Sequence, residues 1–124
     1  MIKRLPDAEF EVMKAVWKTS APLSVNMVME QLSGEKDWKI QTVISLMLRL
    51  VERGFLKTEK NGRERTYSPL ISKEEYLKTE TNAFVKQYHD NSILSLFNAL
   101  YESKKIDGNT TDELLELIKR LGGK

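Results

Sequence analysis

The sequence contains no cysteine, and this absence excludes several classes of functional site at once. Disulfides, thiolate metal sites and cysteine nucleophiles all require that residue. His89 is the only histidine, so neither a cluster of metal ligands nor a nucleophile–base pair can be assembled from the spacing. We therefore expect a protein that is not an enzyme and that uses neither a metal nor another cofactor.

Long hydrophobic runs are also missing. No apolar stretch in the 124 residues approaches the length of a membrane span, and Met1 leads directly into charged sequence without the apolar core of a signal peptide. A hydrophobic content of 40% with 31% charged residues is typical of a folded globular protein. We expect a cytoplasmic protein that does not insert into a membrane, with one domain and at most a small appendage.

The positive charge is unevenly distributed along the chain. The formal net charge is only +2, but residues 36–65 hold eight Lys and Arg against four Asp and Glu. Residues 72–124 hold eight basic and nine acidic residues. A local excess of positive charge is the electrostatic signature of a nucleic-acid-binding surface. The middle third of the chain is therefore the candidate interface.

The strongest single pattern lies within that basic region, at residues 38–53. At about 100° per residue, its apolar side chains fall on one broad arc of a helix. They are Ile40, Val43, Ile44, Met47, Leu48, Leu50 and Val51. The opposite arc is centred on Thr42 and carries hydroxyls and cations, although Trp38 and Leu46 also fall on it. Gly54 follows, where a helix end favours glycine. We interpret this segment as a recognition helix, the alternative being an ordinary surface helix.

The order of the neighbouring elements supports this interpretation. A helix is predicted from Asp7, as its N-cap, to about Lys18, and Ser24 is predicted to cap a second helix after a short extended piece at Leu23. After Gly54 the pattern becomes strand-like at 55–60 and 63–67, with Asn61-Gly62 as a hairpin turn between them. Three helices followed by a basic hairpin are the order of a winged helix-turn-helix. We assign residues 1–71 to this domain.

The rest of the chain is predicted to be helical, which makes the fold class mainly α with a small β-hairpin. Ser72 and Glu75 have the spacing of a capping box, residues 89–92 interrupt the helix, and Thr110 or Thr111 is expected to cap the last helix after a turn at 107–109. So thin a helical tail cannot bury its own apolar residues, whereas a second copy could cover them. Residues 72–124 are therefore the predicted dimerisation region. Its candidate contacts are Phe84, Leu94, Phe97, Leu100, Leu114, Leu117, Ile118 and Leu121.

The candidate DNA contacts divide into two chemical groups. Gln41, Thr42 and Ser45 can match base edges, since an amide pairs with adenine and the threonine methyl fits a thymine methyl. Phosphates suit the cations Lys39, Arg49, Arg53, Arg63 and Arg65. Two alternatives remain open. The polar residues could be ordinary surface residues, and Arg49 and Arg53 could form salt bridges with Glu52 and Asp37.

With these features in place, the chain resembles the penicillinase and methicillin-resistance repressors of the BlaI/MecI type. The resemblance extends over nearly the whole chain and is specific in the order and spacing of its motifs. The residues that carry it are Leu5–Trp17, Trp38–Val43, Leu48–Leu50, Gly54–Leu56, Gly62-Arg63 and Tyr67–Pro69. It implies a homodimeric transcriptional repressor that reads a dyad-symmetric operator, with helix 38–53 in the major groove and the wing, residues 60–65, on the DNA backbone.

The resemblance also implies a regulatory setting, which is control of β-lactamase or antibiotic-resistance genes together with a membrane sensor-protease that inactivates the repressor. In the best-known branch cleavage occurs at an Asn-Phe bond, but this chain has Phe97-Asn98 in the reverse order and no Asn-Phe pair. The cysteine motif of copper-responsive relatives is absent too. The alternative function is a winged-helix protein–protein interaction module without sequence-specific DNA binding, which the basic third helix and wing disfavour.

Overall fold

The computed structural model describes residues 2–122, and within that range it contains six helices and one two-stranded antiparallel sheet. One compact unit reaches to Glu80 and a second begins at Thr81. The predicted fold class, three helices and a hairpin followed by a helical tail, is confirmed. The elements are α1 (Asp7–Trp17), α2 (Val25–Leu32), α3 (Ile40–Glu52), β1 (Leu56–Asn61), β2 (Glu64–Pro69), α4 (Lys73–His89), α5 (Ile93–Glu102) and α6 (Gly108–Gly122).

The core of the first unit lies between α1, α2, α3 and the hairpin. Tyr76, at the start of α4, closes one side of it by packing against the rings of Phe10, Trp17 and Phe55 at centroid distances of 5.5, 5.9 and 5.6 Å. The Tyr76 hydroxyl accepts a hydrogen bond of 2.8 Å from the backbone N–H of Leu5. Burial raises the pKa of Tyr76, although that hydrogen bond acts in the opposite direction. The first turn of α4 is therefore part of the core of the first unit.

Helix α3 buries a narrower stripe than the sequence predicts. Its buried residues are Val43, Leu46, Met47 and Leu50, which is the i, i+3, i+4, i+7 spacing of one helical face. The assignment of Leu46 to the outward arc was wrong. The assignment of Ile40 and Leu48 to the core was also wrong, because they remain 41% and 47% exposed. The reason is that α1, α2 and β1 pack against α3 from the side on which Leu46 lies.

The start of α3 also differs from the predicted helix, which began at residue 38. Lys39 occupies the N-cap position with extended backbone, and the helix begins at Ile40. Trp38 is half-buried against the core, and the Lys36 ammonium lies 5.8 Å from the centroid of its ring. The large indole therefore packs in the loop before α3, and Lys39 marks the boundary between that loop and the helix.

Three predictions concern the segment from the start of α1 to the start of α2, and one of them is wrong while two are confirmed. Asp7 is the first residue of α1 rather than its cap, since Pro6 holds the N-cap position without a side-chain hydrogen bond. Ser24 caps α2 as predicted, because its Oγ accepts the N–H of Met27 at 3.3 Å. The extended piece at Leu23 is confirmed as well. Leu23 exchanges two backbone hydrogen bonds of 2.8 Å with Tyr67 and so lies beside β2.

The hairpin turn is shifted by one residue from its predicted position. Lys60 pairs with Arg65 and Asn61 with Glu64, so the two-residue loop is Gly62-Arg63 rather than Asn61-Gly62. Gly62 has φ of +66°, while Arg63 is not among the residues with positive φ. A positive φ at the first loop position alone is what a type II′ turn requires. Glycine is therefore needed at position 62, and Arg63 is left at the tip.

The predicted boundaries in the tail are correct in two places and wrong in one. The capping box at the start of α4 is confirmed, with Ser72 and Glu75 exchanging hydrogen bonds of 3.1 and 3.2 Å. The interruption after His89 is confirmed too. The last helix begins earlier than predicted, because Asp107 rather than a threonine is the cap and accepts the N–H of Thr110 at 2.8 Å. Residues 108 and 109 accordingly lie inside α6.

No helix within residues 2–122 combines the length and apolar character that crossing a bilayer requires.

Candidate nucleic-acid interface

The exposed side of α3 presents the polar residues that the sequence predicts for DNA contact. Gln41, Thr42, Ser45 and Arg49 are exposed, as is Lys39 at the N-cap. A shallow depression in this surface is lined by Gln41, Thr42, Ser45, Leu46 and Arg49. No acidic residue lies in the first turn of α3, so its partial positive charge is not offset there. This surface can therefore donate hydrogen bonds to bases and attract phosphates.

Arg53 is placed differently from the other cations. Its Nε donates to Oε1 of Glu9 at 2.6 Å, with the Arg53 side chain 42% exposed and that of Glu9 only 2% exposed. The sequence suggested Glu52 or Asp37 as the partner for Arg53, and the structure corrects this to Glu9. The ion pair joins the end of α3 to α1, so one function of Arg53 is to neutralise a buried carboxylate. No sequence signal identified Glu9, because its partner is 44 positions away.

The hairpin presents a second basic surface in the same compact unit. Arg63 is exposed at the tip, and none of the ion pairs within residues 2–122 includes it. Arg65 lies directly across the ladder from Lys60, and its Nη1 donates to Oγ1 of Thr58 at 3.1 Å. Two cations on one cross-strand pair repel each other unless an anion lies between or beside them. The wing is therefore suited to a phosphate backbone.

The predicted dimerisation residues are placed in the tail and are poorly covered. No residue of α5 or α6 is buried in the described part of those helices. Leu94 and Leu121 are 77% and 76% exposed, and Ile118, Phe84 and Leu117 are exposed as well. Phe97, Leu100 and Leu114 are half-buried. Further exposed apolar residues of the tail are Tyr88, Ile93, Tyr101 and Leu115.

Comparisons with known proteins agree with this geometry. A family profile described as penicillinase repressor matches residues 5–120. The penicillinase repressor of Bacillus licheniformis is 30% identical over 118 residues, which cover 95% of this chain and 91% of that protein. The methicillin resistance regulatory protein MecI of Staphylococcus aureus strain N315 is 23% identical over 116 residues, 94% of each chain.

Two solution structures match part of the fold. One is the DNA-binding domain of the repressor BlaI, with a TM-score of 0.52. The other is the monomeric form of Bacillus licheniformis BlaI in complex with the blaP half-operator, with a TM-score of 0.51. Each is 38% identical and covers 61% of this chain and 92% of the matched chain. The matched structures are thus those of a DNA-binding domain.

Proposed function

Because the chain belongs to the penicillinase repressor family, we propose that it is a homodimeric transcriptional repressor that binds a dyad-symmetric operator. The observation that carries the proposal is the exposed side of α3, where Gln41, Thr42 and Ser45 lie between the cations Lys39 and Arg49. Its polar residues are of the types that read base edges, and its cations are of the types that bind phosphates.

In the proposed complex α3 enters the major groove and the wing lies along the DNA backbone. Thr42 and Gln41, in the first turn of α3, contact base edges, with Ser45 one turn further on. Lys39, Arg49, Arg63 and Arg65 bind phosphates, which provide affinity without sequence information. Arg53 contributes less to phosphate binding than the others, because its Nε is held by Glu9. Its remaining N–H groups can still face the DNA.

The second element of the proposal is a dimer formed by the tail. In α5 and α6 the apolar side chains are exposed or half-buried within the described chain, and burying such surface is the main source of affinity between protein chains. Two copies joined in this way place two α3 helices on two half-sites, since operator symmetry mirrors protein symmetry. The proposed contacts are Phe84, Leu94, Phe97, Leu100, Leu114, Leu117, Ile118 and Leu121.

The relatives, a penicillinase repressor and a methicillin resistance regulator, support a proposal about the regulated genes. We infer that this chain acts in the cytoplasm on a β-lactamase gene or another antibiotic-resistance gene. A membrane sensor-protease is the proposed inactivating partner. Since the sequence has no Asn-Phe dipeptide, such a protease has to cut at a different bond in this chain.

The proposal is tested by fluorescence anisotropy of the full chain with three duplexes across a salt series. The duplexes are the promoter of its own gene, one half of the dyad in that promoter, and a scrambled sequence. We expect the promoter to bind most tightly, the half-site more weakly, and affinity to fall steeply with salt. Equal binding to promoter and scrambled DNA contradicts a sequence-specific repressor. Weak binding throughout favours the protein–protein module instead.

A further inference from the structure

Three branched apolar side chains form a row along the exposed part of α3. Ile40, Ile44 and Leu48 are spaced four residues apart, so that they follow one another along a single flank of the helix. Ile40 and Leu48 belong to the exposed large hydrophobic residues of the chain, and Ile44 between them is half-buried. We call this set the apolar row of α3. Single exposed apolar residues are common on protein surfaces, but a continuous row on one helix is not.

The apolar row runs beside the polar residues that the proposed function assigns to DNA. Gln41 lies three residues before Ile44, and Ser45 lies three residues before Leu48, so each polar side chain is a neighbour of an apolar one on the surface of α3. The elements that pack on α3 within the first unit, α1, α2 and β1, cover the stripe of Val43, Leu46, Met47 and Leu50. The row therefore lies on the flank of α3 between this buried stripe and the polar residues, and its two ends, Ile40 and Leu48, remain exposed.

DNA offers one apolar feature in the major groove, which is the C5-methyl group of thymine. We propose that the apolar row packs on thymine methyl groups, so that Ile40, Ile44 and Leu48 determine specificity by selecting thymines at fixed places in each half-site. This inference rests on the proposed function, because it requires α3 to lie in the major groove. It adds to that function a statement about operator composition, which hydrogen bonding by Gln41, Thr42 and Ser45 does not contain.

The charges around the row favour DNA over a second protein chain as its occupant. Lys39 precedes Ile40 at the N-cap, and Arg49 lies four residues after Ser45, so cations flank the polar residues that border the row. Both are exposed, and neither takes part in an ion pair within residues 2–122. Exposed cations beside apolar side chains match a surface of methyl groups bordered by phosphates. A copy of the same helix face would bring like charges together.

The experiment replaces thymine by uracil, which removes the C5-methyl group and leaves the base-pairing edges unchanged. The full chain is titrated with the promoter duplex, with the same duplex synthesised with deoxyuridine in place of thymidine, and with a scrambled duplex. We expect affinity for the uracil duplex to be lower by about fourfold for each methyl group contacted, the factor that corresponds to burying one methylene-sized group. The scrambled duplex should bind almost equally with thymine or uracil.

Two variants of the row, Leu48→Ala and Ile40→Ala, and one control variant connect the effect to the row. Leu48→Ala removes an exposed apolar side chain without opening a cavity, and alanine suits a helix, so this variant should fold normally. Leu70→Ala is the matched control, because Leu70 is an exposed leucine of the same compact unit that lies outside α3. We expect Leu48→Ala to weaken promoter binding and to reduce the difference between thymine and uracil duplexes. Leu70→Ala should leave that difference as large as in the unaltered chain.

The outcomes distinguish failure of this inference from failure of the proposed function. Equal affinity for the thymine and uracil promoters, with scrambled DNA still rejected, overturns the inference and leaves the proposed function intact. A uracil effect of the same size in Leu48→Ala, and also in Ile40→Ala, assigns the methyl contacts to other residues and overturns the inference as well. Failure to distinguish promoter from scrambled DNA contradicts the proposed function itself. If Leu48→Ala binds DNA as tightly as the unaltered chain but no longer self-associates, the row is a protein interface and the inference is overturned.

Discussion

Thr42 is the residue at which the proposed reading of base edges can be tested most directly. It lies in the first turn of α3, it is exposed, and it lines the depression shared with Gln41, Ser45 and Arg49. We predict that Thr42→Ala weakens binding to the promoter by ~1–3 kcal/mol, the cost of one lost base contact. Its affinity for scrambled DNA should not change.

Fluorescence anisotropy with the two duplexes measures this difference. Thr81→Ala, at an exposed position of α4, is the matched control and should bind as the unaltered chain does. If Thr42→Ala retains the full ratio of promoter to scrambled affinity, Thr42 does not read bases.

The ion pair between Glu9 and Arg53 is the basis of a second prediction about single residues, which concerns the stability of the fold. Glu9 is the buried charged residue of the described chain, and Arg53 is its ion-pair partner. We predict that Arg53→Met lowers the free energy of unfolding by about 1–3 kcal/mol, the cost of leaving a buried acceptor without its donor. The arginine is partly exposed to water, so solvent screening places the effect below that of a fully buried pair.

Urea unfolding of Arg53→Met, Glu9→Gln and the double variant measures the coupling between the two residues. Arg49→Met is the matched control, since Arg49 is an exposed arginine on the same helix and belongs to no ion pair within residues 2–122. It should leave stability nearly unchanged and reduce the salt dependence of DNA binding instead. Additive effects in the Glu9 and Arg53 double variant would show that the two side chains act independently.

At the scale of the elements, the wing is predicted to supply affinity rather than specificity. Arg63 occupies the two-residue loop of the hairpin, where the chain offers it few partners. Arg63→Ala should therefore weaken binding to promoter and scrambled DNA by the same factor. The slope of affinity against salt should decrease by about one charge. Arg120→Ala, an exposed arginine in α6, should change neither quantity, and a changed sequence preference in Arg63→Ala would mean that the wing reads bases.

Helix α6 has a pH-sensitive start. The Asp107 carboxylate accepts hydrogen bonds from the backbone and side chain of Thr110, and these lower its pKa below the ordinary value of 3.8. Because the pKa of Asp107 is lower in the folded chain than in the unfolded chain, the charged cap stabilises the helix fully at pH values above the unfolded-state pKa. This stabilisation is lost as the pH falls through the folded-state pKa. We predict that helical circular dichroism decreases with acid in this range. In Asp107→Asn, which keeps a neutral cap, the part of the decrease due to α6 should be absent.

The sequence predicts which elements form better than it predicts which side of each is buried. Ser24, Ser72 and Glu75 were assigned correctly as caps because capping depends on a few neighbouring residues. The buried stripe of α3 was misplaced because its eight apolar residues form an arc wider than any one contact face, and the packing elements cover only part of that arc. Leu46 and Leu48 changed sides for this reason. The Glu9–Arg53 pair depends on tertiary structure alone.

At the scale of the whole molecule, the exposed apolar residues of the tail predict self-association. We expect the full chain to sediment as a dimer at micromolar concentration, and we expect Leu94→Glu and Ile118→Glu together to shift it toward monomer by placing charges in the contact. The variant should also bind the full promoter no better than the half-site. Leu70→Glu, at an exposed site outside the tail, should remain dimeric, and a monomeric unaltered chain refutes the predicted dimer.

The backbone pairing of Leu23 with Tyr67 bears on how this chain can change in length. It ties the segment before α2 to the strand that forms the wing, through two hydrogen bonds that depend on register. A residue inserted between α1 and Leu23 would slip that register and turn the leucine away from the core. A residue inserted at the hairpin tip would leave the register between Leu23 and Tyr67 unchanged. Insertions and deletions among homologues should therefore occur at the tip of the wing and be rare in the connection between α1 and α2.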